Sequence, residues 1–163
     1  MARFATAGAK VYIGAAMEDR DEDLVAADFT SQTWTEIGNI TNIGAFGDTA
    51  AEVTTQEVGR GRDFRQKGTR NAGTLALTMN INTTDAGQIA LLAAEKTNNN
   101  YAFRVVFPDA PPTGASPKGS ERLFYGLAMS APENLAAANN FATMDVSVGI
   151  NSNIVKVPAS AGA

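Results

Sequence analysis

The apolar residues of this chain fall mostly into short alternating runs. The clearest is Gly73 to Asn82, GTLALTMNIN, in which Leu75, Leu77, Met79 and Ile81 point one way and Thr74, Ala76, Thr78 and Asn80 the other. That period of two is the signature of a strand with one dry face. Tyr101 to Phe107 (YAFRVVF) alternates in the same manner and stops at Pro108, and Arg122 to Ser130 (RLFYGLAMS) reads as another strand. Phe141 to Asn151 sets Ala142, Met144, Val146, Val148 and Ile150 against Thr143, Asp145, Ser147 and Gly149, and Lys10 to Ala16 (KVYIGAA) is a short first strand.

Trp34 to Phe46 departs from this pattern. Its large apolar residues, Trp34, Ile37, Ile40, Ile43 and Phe46, recur every three positions, which fits neither a strand nor a helix. Gly38, Gly44 and Gly47 argue against a helix, and β-branched Thr35, Ile37, Ile40, Thr41 and Ile43 argue for extended chain. The reading is a strand broken or bulged between Gly38 and Asn42, where an extra residue resets which face the isoleucines occupy. One helix is predicted in TTDAGQIALLAAEK: Thr84 or Asp85 caps it, Gln88 follows Asp85 by three, and Ile89, Leu92 and Ala93 form the apolar stripe. Asn98, Asn99 and Asn100 end it.

The remaining segments read as connections. PDAPPTGASPKGSE after Phe107 is dense in proline, glycine and serine, Pro132 to Asn140 is a turn or short helix, and the tail from Pro158 is expected to fray. Val53 to Gly73, VTTQEVGRGRDFRQKGTRNAG, fits no period and is expected to be a long loop that does not fold by itself. Loops of that length in compact domains are usually functional or disordered. Roughly six strands, one helix and two long loops predict a mainly β (α+β) fold, a β-sandwich or barrel-like domain with one flanking helix. A single domain covers 1–163, with a core over 10–154, the long loop over 48–72 and a C-terminal tail over 155–163.

Charge sharpens the reading of that loop. The formal net charge is −4, yet five of the thirteen basic residues, Arg60, Arg62, Arg65, Lys67 and Arg70, sit in this one segment. In an acidic protein such a segment reads as an arm that meets a negative surface on a partner. Glu18, Asp19, Asp21, Glu22 and Asp23, with Asp28 beyond them, form an acidic block near the start. Opposite patches on one chain point to self-assembly in which one copy's block faces another's loop. Two solvated faces with no contact account for the same residues.

Composition removes most chemistry. With no cysteine and no histidine there is no thiolate nucleophile, no thiolate or imidazole zinc site, no disulfide and no ordinary general base near neutral pH. The absence of cysteine fits a reducing cytoplasm, and the first residues lack the pattern of a secretory signal. Asp19, Asp21 and Asp23 have the spacing that starts a calcium loop, but Leu24 stands where the turn glycine belongs and Thr30 where the bidentate glutamate belongs. Gly59-Arg60-Gly61-Arg62 resembles glycine–arginine RNA-binding segments, without aromatics between. No phosphate-cradling or nucleophile-elbow motif occurs, and no carboxylate pair sits in an apolar setting. The expectation is a protein that is not an enzyme, with no catalytic residues, no metal and no cofactor.

The order of elements is itself a pattern: an early strand, WTEIGNITNIG from Trp34 to Gly44, a long polar segment, GTLALTM from Gly73 to Met79, the TDAGQ helix, then hydrophobic strands. This resembles the tail tube (major tail) proteins of long, non-contractile-tailed bacteriophages (siphophages) and related gene transfer agents, over roughly Lys10 to Ile154. The resemblance implies subunits assembled into hexameric rings that stack into a hollow tube in the virion tail, put together in the host bacterial cytoplasm. It implies DNA passing through the lumen without specific binding, a loop over Asp48 to Ala72 that reaches across subunits or rings, and tape measure, tail-tip and tail terminator proteins as partners. A lumen wall must not hold phosphate with cations. Thr74, Thr78 and Asn80 on one strand and Thr143, Asp145 and Ser147 on another are the lumen candidates; plain solvent exposure explains them equally.

Two other readings compete. A monomeric β-sandwich module, such as a virion decoration or adhesin-like domain, would use the basic loop to grip another protein. A nucleic-acid-binding protein would act through Arg60 to Arg70, against the acidic balance of the chain.

Overall fold

The computed structural model describes residues 3–162. Among these residues eleven strands carry the fold: β1 (Lys10–Met17), β2 (Thr35–Ile37), β3 (Ile40–Ile43), β4 (Thr49–Thr55), β5 (Phe64–Asn71), β6 (Thr74–Asn80), β7 (Asn100–Val106), β8 (Glu121–Ser130), β9 (Glu133–Asn134), β10 (Thr143–Ile150) and β11 (Val155–Val157). One helix, α1 (Ala86–Glu95), lies between β6 and β7. Nine strands form one antiparallel sheet in the order β2-β1-β7-β8-β10-β6-β3, with β9 added to β10 and β11 to β8, while β4 and β5 pair only with each other.

The irregular segment around Gly38 decides the shape. β2 and β3 are the two ends of the seven-strand path, yet only Gly38 and Asn39 separate them. Laid flat, six inter-strand gaps would put those edges roughly 29 Å apart. Three residue steps span no more than roughly 11 Å. The sheet therefore has to curl until its edges nearly meet, which gives the barrel-like form expected from the sequence. Asn39 supplies the corner in the left-handed region (φ 60), and the register slips between Ile40 and Asn42, so Ile37, Ile40, Ile43 and Phe46 all reach the same core. The three-residue spacing is the mark of a strand snapped in two and bulged.

Helix α1 seals this seam. Asp85 caps it, its carboxylate accepting from Gln88 N at 2.9 Å and from Gly38 N at 3.1 Å. The buried Gln88 side chain donates to Gly38 O (3.0 Å) and Asn80 O (2.9 Å) and accepts from Asn82 N (3.0 Å), instead of turning back on the cap as a capping box would. A Cβ on Gly87 would lie 2.1 Å from Glu36 O, so only glycine lets the helix sit this close to β2. The face turned inward is Gly87, Gln88, Leu91 and Ala94; Ile89 and Ala93, expected in the apolar stripe, are exposed. The apolar residues run around the whole helix, so spacing alone could not choose the side, and the deciding residue was a polar one.

The main core fills the inside of the curl, with Leu75, Leu77, Met79, Met144, Val146 and Val148 beside Phe103 and Phe124. A second cluster on the outer side joins Leu24 and Phe29 to Ala102, Leu123 and Tyr125. The acidic block is thus the lead-in to a packed element, a single 3-10 turn over Ala26–Phe29. Two connections are more ordered than expected. β11 and a bridge between Ser160 and Lys118 tie down the tail, and Pro132 to Asn140 holds the short β9 and turns but no helix. Inside the 108–120 connection, Asp109 takes both the N–H (2.6 Å) and the hydroxyl (2.5 Å) of Ser120.

Candidate functional site

The segment expected to be an unstructured loop is a hairpin. β4 and β5 pair from Thr49↔Asn71 to Thr55↔Phe64 with one bulge between Ala50 and Glu52. Every residue of β4 and all of β5 except Gly68 is exposed. Hydrophobic periodicity cannot reveal a ribbon that buries neither face, because nothing selects apolar residues at alternate positions. The available signals were the β-branched Val53-Thr54-Thr55, the glycines of the connecting turn at Gly59 and Gly61, and Phe64 on the return strand. Val53 is 54% and Phe64 42% exposed, and Val58 in the turn is fully exposed. Two-stranded ribbons alone are marginal in water.

The arm is also less basic than its arginines imply. Over 48–71 the five cations are matched by four carboxylates, Asp48, Glu52, Glu57 and Asp63. Arg60 lies 3.2 Å from Glu57, Arg65 3.3 Å from Glu52 and Arg70 4.0 Å from Asp48. Among the described residues Arg62 and Lys67 are exposed and form no ion pair. The internal pairs are largely exposed and each contributes under about 1 kcal/mol.

The acidic block is held against the body. Asp19 accepts from Asn100 Nδ2, whose own oxygen accepts from Asn151 Nδ2 at 2.8 Å. Arg20 N donates to the Tyr125 hydroxyl (3.0 Å) and its guanidinium pairs with Asp28 at 2.8 Å. The Val25 N–H, and then Arg20, hold the Asp28 carboxyl below the usual carboxylate range. Glu18, Asp21, Glu22 and Asp23 remain exposed and form no ion pair among the described residues. Asp21 to Asp23 line one cleft of about 490 Å³ with Asp48 and Arg70, at the base of the hairpin of the same chain. Among the described residues no group of three or more carboxylates is placed to hold a metal ion.

The six strand candidates come together. β6 and β10 are neighbours, with Thr143 opposite Asn80, Asp145 opposite Thr78, and Thr74 opposite Gly149. All six side chains share the face that turns away from Leu75, Leu77 and Met79. Thr78 donates its hydroxyl to Asp145 at 2.8 Å. Asp145 is the one charged group of the two strands, and neither carries a cation.

No family model matches the chain, and no curated protein matches it. Solved structures do. The hybrid structure of the SPP1 tail tube has a chain similar at a TM-score of 0.59 and 14% identity, covering 91% of this chain and 77% of that one. The chain has a tail-tube fold. A chain in the cryo-EM structure of the PVC sheath/tube terminator, from an extracellular contractile injection system in its extended state, is similar at a TM-score of 0.67 and 9% identity, over 96% and 98% of the two chains. A chain of the virion of a native gene transfer agent particle follows at 0.56 and 15%, over 76% and 88%. At such identities the tail-tube fold is what is shared; residue roles have to come from the geometry above.

Proposed function

We propose that this chain is the repeating subunit of a tail tube, a structural protein that assembles with copies of itself. The observation that carries the reading is the β4–β5 hairpin. It projects from a body with a tail-tube fold, leaves Val53, Val58 and Phe64 uncovered, and needs a surface beyond its own chain to become a rigid element. On this reading six copies form a ring, rings stack, and each hairpin lies on a neighbouring subunit with Arg62 and Lys67 toward its carboxylates. The β6–β10 face lines the lumen, where hydroxyls, amides and Asp145 give passing DNA nothing cationic to bind. The site does no chemistry. It takes its place in a virion tail built in the host cytoplasm, with tape measure, tail-tip and terminator proteins as further partners.

On this reading the hairpin, marginal as a lone two-stranded ribbon, becomes rigid on contact, and the conformational entropy it loses then opposes premature assembly of free subunits. Negative-stain electron microscopy of the concentrated protein, beside sedimentation of the same sample, tests the reading: rings or hollow tubes of uniform width are expected. Discrete monomers at every concentration, with and without a tail-tip template, would remove it. Limited proteolysis between Gly59 and Gly73 should slow sharply in tubes; equal cleavage in both states would exclude the ordering step.

A further inference from the structure

Two cations on the body are placed where their own fold disfavours them. Lys156 on β11 stands directly opposite Arg122 on β8, and like charges in that position destabilise a strand pair. Neither forms an ion pair among the described residues. Glu121, beside Arg122, points to the other face and pairs with Arg104 at 3.7 Å, and both oxygens of Asp109 are held by Ser120. The Arg122 guanidinium donates to Glu121 O and lies 4.6 Å from the centroid of the Phe107 ring, which fixes its position. With Arg70 they line an open cleft of about 460 Å³ floored by Phe46, Phe107 and Ile154.

We infer that this cleft binds the acidic block of a second copy, with Asp21, Glu22 and Asp23 against Arg122 and Lys156. Charge complementarity identifies the occupant. Among the described residues Asp21, Glu22 and Asp23 are exposed and form no ion pair, and Arg122 and Lys156 form none either. Glu121 apart, the only carboxylates near that cation pair among the described residues are Asp48, which pairs with Arg70, and Asp109, which Ser120 holds. The two sets line separate clefts that share only Asp48 and Arg70, and among the described residues they form no ion pair with each other. Docking between copies supplies the counter-charge that the β8–β11 register lacks, and the aromatic floor strengthens each pair by excluding water. This contact rests on the self-assembly reading and adds to it a surface on the body, separate from the arm.

The test is a charge swap in the full-length chain. Arg122→Glu with Lys156→Glu reverses the cleft, and Asp21→Lys with Asp23→Lys reverses the block. In sedimentation at low salt, each variant alone is expected to associate at least about tenfold more weakly than the parent, and an equimolar mixture to recover to within about threefold, since each then meets its opposite. If the parent associates and the variants match it, the cleft contact is wrong while the tube reading stands. A parent that stays monomeric in these runs removes the contact, and the electron-microscope grids then decide the tube reading separately. A mixture that fails to recover, with a labelled DNA duplex binding the parent but not the cleft-reversed chain, makes the anion a nucleic acid and overturns the assignment. Where reversal unfolds the chain, Arg122→Gln with Lys156→Gln removes the charge while keeping polar side chains and is expected still to weaken association; unchanged association overturns the proposal.

Discussion

The β6–β10 ladder and the β4–β5 ribbon are antiparallel pairs of similar length with opposite means of support. The first runs seven register pairs without a slip, the second six with a bulge. β6 and β10 send Leu75, Leu77, Met79, Met144, Val146 and Val148 into the core, all 1% exposed or less. A one-residue slip would turn every one of these side chains outward, so burial itself fixes the register. β4 and β5 bury almost nothing and are held by backbone hydrogen bonds and exposed ion pairs. The same backbone geometry is thus a rigid wall in one place and, in the other, an arm with almost no burial behind it.

The largest effect expected is on the wall. Leu77→Ala, at a fully buried position, should lower stability by about 2–5 kcal/mol in urea unfolding; a loss below about 1 kcal/mol would show that the ladder is not the anchor described. Next is the seam. Gln88→Ala leaves Gly38 O, Asn80 O and Asn82 N without their partner, and a loss of about 1–3 kcal/mol is expected from the same measurement. A neutral result would mean that water replaces the amide and that the helix is not what closes the barrel.

Acid acts on the connections. Ser120, through its hydroxyl and then its N–H, holds the Asp109 carboxyl below the usual carboxylate range. A carboxylate with a depressed folded pKa contributes stability that is present above its unfolded value, about 4, and is lost as pH falls through the folded value. Asp109→Asn should therefore lower Tm at neutral pH, and the gap to the parent should close on acidification; a gap independent of pH would sink the ionic role. Smallest of all, Val58→Ser in the hairpin turn should change monomer stability by no more than about 0.5 kcal/mol while weakening tube formation. A large effect on the monomer would mean that the arm folds back onto its own body.

Strand after strand was legible in the sequence because burial of one face imposes a period of two. GTLALTMNIN and the run from Phe141 to Asn151 declare their faces outright, and the six polar candidates followed as the other side of the same alternation. The break at Gly38–Asn42 was visible too, in glycines and a spacing that no regular element has. What alternation could not supply was which strands are neighbours. That β2 and β3 end up at opposite edges, that Thr78 meets Asp145, and that Lys156 stands across from Arg122 are products of pairing between distant segments. The face of α1 was hidden because its apolar residues surround it and a buried glutamine chose the side. The hairpin was hidden because a ribbon with two wet faces leaves no periodic trace. Local burial writes itself into sequence; long-range register and exposed structure do not, since they depend on which surfaces the completed fold brings together.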